Sequence, residues 1–287
     1  MKCIEFIKHN KQFAVFSFFA LVIVGIAIFA PWIAPKNPYD AVMADSLTAP
    51  CNKYIWGTDK LGRDLFSRVI YGTRSSLVMV FALVGTIFAA GTFLGVLAGF
   101  FGGILDQVIM RLADMMVSFP GLVLAIAIAG LLEPNMVNAV IAIASVSWTK
   151  YARLARSLVL KIKSSLYIEA ARLTGAKNWK IVVKYIVPNM ITTMIITAAT
   201  DIGGMMMELA GLSFLGFGAQ PPIPEWGLML NEGRTYLSKA PWLMLYPGIA
   251  IVIVVIVFNM LGDSVRDLLE PGEGKAESSS GLAKELS

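Results

Sequence analysis

Two carboxylates, Asp201 and Glu208, stand seven residues apart in an otherwise apolar run, which puts both on one face of a helix. Ionised groups are costly in lipid, so both are expected against a protein interface or a water-filled cavity. Two readings stay open: a translocation-path lining, or a satisfied helix–helix hydrogen bond for Asp201 with Glu208 at the interface. Measured from Ile186 at about 1.5 Å per residue, Asp201 is expected about two-thirds of the way across and Glu208 near the outer interface. Met205, Met206 and Met207 lie between them, offering soft metal contacts or simple packing. The candidate path set is therefore Asp201, Met205 and Glu208. Other chemistry is sparse. His9 is the single histidine, which excludes a histidine-based triad and a multi-histidine metal site. No stretch fits GxxxxGK[ST], because Gly272-Glu273-Gly274-Lys275-Ala276 lacks both the glycine spacing and the hydroxyl residue. The chain is not expected to hydrolyse ATP, and no catalytic residue, metal site or cofactor is assigned.

The elements that must carry these residues belong to a membrane protein. The 287 residues are 57% hydrophobic and 15% charged, with a mean hydropathy of +0.71, far from the balance of soluble domains. The net charge of +5 fits loop asymmetry across a bilayer better than nucleic-acid binding. Residues 1–12 form a basic N-terminus, and 13–33 an uncleaved first transmembrane helix. A polar, turn-rich outer segment follows at 34–75. The core, 76–270, holds five further spans: Ser76 to Phe101; Met116 to Leu132, interrupted by Pro120; Asn138 to Trp148, whose helix continues to Leu160; Ile186 to Ala210; and Trp242 to Leu261. Residues 271–287 read as a disordered tail. The fold expected is all-α with six transmembrane helices. Gly85, Gly91, Gly95 and Gly99 are expected to let the second span approach a neighbour closely. Gly102-Gly103 breaks the chain after it, and Arg111 and Asp114 are spaced to pair on one helix face. Cys3 and Cys51 flank the first span and cannot bridge. With the N-terminus inside, sixteen Lys and Arg lie on the inner face and eight on the outer, so both termini are expected in the cytoplasm.

One stretch stands apart, the basic island Ser165 to Pro188. Ser164 or Ser165 can cap a short helix that Gly175 would stop with a left-handed residue. A second short helix puts Trp179, Val182, Val183 and Ile186 at i, i+3, i+4, i+7, with Lys177, Lys180 and Lys184 on another face. Pro188 ends it or lets a new helix begin. An amphipathic pair in the cytoplasm, in a chain with no phosphate loop, reads as a docking element.

The island resembles the EAA loop of ABC importer permeases: Glu169-Ala170-Ala171, then Gly175, then Pro188, with Tyr185 and Val187 where the pattern has Ile and Leu. Further segments are similar to the peptide/nickel branch of that family. They are Gly57-Thr58-Asp59 with Leu61-Gly62-Arg63-Asp64; Phe101-Gly102-Gly103 with Asp106; Ser118-Phe119-Pro120; Leu212 to Gly216; Gln220-Pro221-Pro222; Glu225-Trp226-Gly227; and Asn231 to Arg234. The resemblance points to the C-type subunit. It implies a second homologous permease, two cytoplasmic ATP-binding subunits, an extracytoplasmic solute-binding protein and a bilayer. The ATPase-coupling residues it implies are Glu169, Ala170, Ala171, Gly175, Trp179, Val182, Val183 and Pro188. For substrate, Asp201 to Met206 with Met116 and Arg156 to Val159 looks closer to nickel-type than to dipeptide-type members. Nickel would then travel as a chelate of peptide-like size. The alternative is an ion-coupled secondary transporter.

Overall fold

The computed structural model describes residues 11–269, so His9, Cys3 and the expected C-terminal tail lie outside the described residues. Among the described residues ten α-helices follow in order: α1 Lys11–Ile33, α2 Leu65–Phe101, α3 Gly103–Val117, α4 Gly121–Leu131, α5 Met136–Lys163, α6 Leu166–Leu173, α7 Asn178–Ile181, α8 Val187–Phe214, α9 Trp226–Gly233 and α10 Trp242–Leu269. A π-helical turn, Val182–Ile186, joins α7 to α8. Among the described residues there is no named strand.

Among the described residues, four helices are long and apolar enough to cross a membrane: α1, α2, the continuous Asn178–Phe214 and α10. The third expected span is not one helix beginning at Met116. The α3–α4 pair bends by 95° at Ser118-Phe119-Pro120, where proline has no N–H to give and restricts the residue before it. Counted as one broken span, the pair makes a fifth crossing. Helix α5 is continuous through Leu160, as expected, but its second half carries Lys150, Arg153, Arg156, Lys161 and Lys163, and the helix is not apolar enough to be counted.

The second span starts at Leu65 rather than Ser76. Asp64 caps it, its carboxylate accepting the Ser67 backbone N–H at 2.8 Å. Along its far half, Gly91, Gly95 and Gly99 meet α5. A Cβ on Gly91 would lie 2.5 Å from the Tyr151 Cβ, one on Gly95 2.4 Å from the Ala152 carbonyl oxygen, and one on Gly99 2.9 Å from the Val159 Cβ. The close approach expected of these glycines is present. Gly85 faces open space and takes no part in it. Helix α8 packs on α10 in the same way, Gly203 against Asn259 and Gly262 against the Ala199–Thr200 backbone. At about 1.5 Å per residue, the 28 residues of α8 run roughly 42 Å, from the island at one end to the loop before α9 at the other.

Candidate functional site

The island folds as a helical hairpin. Its first turn closes with the Ala176 N–H donating to the Ala171 oxygen at 3.0 Å and the Gly175 N–H to the Arg172 oxygen at 2.9 Å. This is the Schellman arrangement, and Gly175 takes φ +81° to make it. Ser165 is the N-cap, but its hydroxyl donates to the Ile162 oxygen instead of capping. Ile168 and Ala171 are buried and seat α6, while Glu169, Ala170 and Arg172 face outward.

The second half departs from the expected periodicity. Trp179 and Val183 are exposed, Val182 is half-buried and Ile186 is fully buried, so the four do not form one face. The buried residues are Ile181 and Ile186, five apart, because a π turn advances one extra residue before returning to the same side. Pro188 supplies the reason. Its missing N–H and its ring disrupt the bond to residue 184, so the ladder shifts register just upstream. The hairpin thus leaves Leu166, Leu173, Trp179 and Val183 exposed, the first two by 82% and 89%.

At mid-length of the bundle, Asp201 is engaged from α5. Lys150 Nζ donates to one carboxylate oxygen at 2.6 Å and the Tyr151 hydroxyl to the other at 3.0 Å. The expected helix–helix hydrogen bond is therefore present. Asp201 stands about two-thirds of the way along the continuous helical span Asn178–Phe214. Glu208 is half-buried two turns further out. Met205 and Met206 are buried in the core, so Met205 lines no open surface in this conformation, while Met207 is exposed.

Below Lys150 the same helix presents Arg153 and Arg156. Arg153 donates to Asp114 at 2.6 Å, and Arg156 makes a bidentate pair with Asp106 at 2.5 and 2.6 Å. Asp114 thus pairs across to α5 and not with Arg111, which is exposed. These cross-helix partners were missed in the sequence. The signal was the spacing of three between Lys150, Arg153 and Arg156, matched by acidic residues on an amphipathic α3.

The end of the bundle opposite the hairpin carries a buried charge network. Arg63 Nε donates to Asp59 at 2.6 Å, the Nη2 groups of Arg63 and Arg68 each reach Glu232 at 3.3 Å, and Arg68 Nε lies 3.4 Å from Asp59. Both arginines are 1% exposed. Arg68 also donates to the Pro38 and Pro222 carbonyls, so one side chain ties the outer segment to the loop after α8. Trp226 is buried in the same clasp, its indole N–H donating to the Val69 oxygen at 3.0 Å, and Gly72 leaves room for its ring. Glu225 accepts the Gly227 and Leu228 N–H groups at 2.8 Å. Burial pushes its carboxyl above the ordinary value, partly countered by those two bonds. At the rim, the Lys53 ammonium and then the Tyr54 hydroxyl hold half-buried Asp45 below it.

The family described as the binding-protein-dependent transport system inner membrane component matches residues 91–275, and the N-terminal transmembrane domain of oligopeptide transport permease C matches residues 6–50. The chain is similar to the dipeptide transport system permease protein DppC of Alkalihalophilus pseudofirmus, at 41% identity over 92% of this chain and 87% of that one. It is similar to the nickel transport system permease protein NikC of Escherichia coli K12, at 39% identity over 88% and 92%. Among solved structures, the inward-facing MetNI methionine ABC transporter aligns with a TM-score of 0.59 over 71% of this chain and 97% of that one. At 20% identity that likeness concerns the fold.

Proposed function

The chain belongs to the family of binding-protein-dependent transport system inner membrane components, as a C-type permease of the dipeptide, oligopeptide and nickel branch, and from that premise we propose that it is the passive transmembrane half of an ATP-driven importer. Its partners are a second homologous permease, two cytoplasmic ATP-binding subunits and an extracytoplasmic solute-binding protein. The hairpin Leu166–Ile186 is the coupling element. The observation that carries this is the exposure of Trp179, Val183, Leu166 and Leu173 on a hairpin anchored from behind by Ile168, Ile181 and Ile186. A rigid, apolar knob outside the lipid is built to enter a cleft. Glu169, Ala170, Ala171, Val182 and Pro188 set its register and its junction with α8. Closure of the ATPases on ATP would push α5 and α8 and switch access from one side to the other.

In this reading α5 is the sixth crossing, its charged inner half shielded by partners, and both termini are cytoplasmic. Asp201 and Glu208 line the path. The cargo is of peptide size, either a short peptide or nickel held in a chelate. The chain's imidazole, His9, and its thiols, Cys3 and Cys51, lie outside the spans, and these are the donors a bare nickel ion favours. The test is the energy source, measured as uptake into membrane vesicles. Uptake should stop when internal ATP is removed and persist when an ionophore collapses the proton gradient. The reverse pattern would restore the ion-coupled carrier.

A further inference from the structure

Lys150 sits at the middle of a 28-residue helix, about 21 Å from either end, and Asp201 packs against it from α8. At that depth a charged side chain is disfavoured in lipid and belongs in a protein interior or a water-filled cavity. The Lys150 side chain is nevertheless 59% exposed, whereas Asp201 beneath it is 12% exposed. The buried Tyr151 hydroxyl fixes the second Asp201 oxygen at 3.0 Å, so the carboxylate is held rigidly and the ammonium only on one side. Glu208 is half-buried two turns along α8 from Asp201. Asp201 is therefore the carboxylate that the ammonium engages, and Glu208 stands seven residues further along the same face of α8.

We propose that Asp201, Glu208, Tyr151 and Lys150 form a mid-membrane station that takes the ammonium group of a peptide-type cargo. This rests on the reading that α5 and α8 line the path. The incoming ammonium occupies the place of the Lys150 ammonium on Asp201. Lys150, a compact charge on a flexible four-carbon arm, swings aside and remains available to the cargo's carboxylate. Glu208, two turns outward, meets the ammonium first. The donor set suits an ammonium better than a bare nickel ion, since it offers two carboxylates and a phenol without imidazole or thiolate.

The experiment is cysteine protection in the assembled permease–ATPase complex, in inside-out vesicles without the binding protein, so that cargo reaches the path directly. Ser147, half-buried one turn outward of Lys150, becomes the reporter as Ser147→Cys in a Cys3→Ser, Cys51→Ser background. Ser157→Cys, exposed two turns inward of Lys150, is the second reporter. A charged, membrane-impermeant thiol reagent should modify either reporter. Excess Ala-Ala should slow the reaction several-fold and N-acetyl-Ala-Ala should not. Asp201→Asn should abolish the protection while the complex is still recovered intact. No modification of either reporter would overturn the path reading itself. Modification without protection by Ala-Ala, equal protection by the acetylated peptide, protection surviving Asp201→Asn, or protection by nickel chloride alone would each overturn the station while leaving the path reading standing.

Discussion

At the end of the bundle opposite the hairpin, Arg63 and Arg68 are buried and paired; on the hairpin the charged side chains are exposed. Arg63 and Arg68 are each 1% exposed and share Asp59 and Glu232, while Glu169, Lys177 and Lys180 make no ion pair among the described residues. The difference separates two tasks. A buried ion network is costly to leave half-satisfied, so it fixes one geometry and resists slippage. An exposed hairpin, seated by a few buried isoleucines, can present a surface to another protein without putting the fold at risk. The outer clasp holds the ends of α2, α8 and α9 together. The inner hairpin is available for work.

Breaking the clasp should have the largest effect on the fold. Arg68→Ala leaves Asp59 and Glu232 short of a partner and opens the Pro38 and Pro222 contacts. A loss of about 3–5 kcal/mol is expected, seen as little folded permease surviving detergent extraction. The helix seam comes next. Gly95→Leu drives a side chain into the Ala152 backbone and should cost about 1–3 kcal/mol or more, read as a lowered unfolding temperature. Gly85→Leu, facing open space, should be close to neutral. Smallest is the rim pair at Asp45. Its carboxyl is held below the ordinary value, first by the Lys53 hydrogen bond and then by Tyr54. A depressed folded value means the contribution is present above the ordinary carboxylate value and disappears as pH falls through the folded one. Asp45→Asn should therefore shift unfolding slightly at neutral pH and not at all in strong acid, as a thermal melt at the two pH values would show.

What the sequence made legible follows from periodicity and local chemistry. Gly91, Gly95 and Gly99 recur every four residues, and a helical repeat of that spacing is a seam whichever neighbour fills it. Gly175 was readable because a left-handed C-cap favours glycine. The π turn was not, since a pattern read at 3.6 residues per turn sends Val183 and Ile186 to the same side, whereas the shift upstream of Pro188 separates them. Arg111 and Asp114 looked like partners because sequence spacing reveals only pairs on one helix. Asp114 found Arg153 on another. The start of α2 was hidden for a related reason. Ser67, Arg68 and Arg74 read as loop residues until a buried acidic partner from a distant segment neutralises the arginine. Asp201 was legible as a residue needing a partner, but its partners Lys150 and Tyr151, about fifty residues earlier, were not.

The most direct test of the division between clasp and hairpin is recovery of ATPase subunits with the membrane-extracted permease carrying Glu169→Lys or Gly175→Val. Both positions are exposed on the hairpin, and Gly175 holds a backbone conformation that valine resists. Each variant should insert in the membrane, be extracted at normal yield and unfold near the temperature of the unaltered chain, yet recover no ATPase. Normal ATPase recovery with either variant would contradict the account.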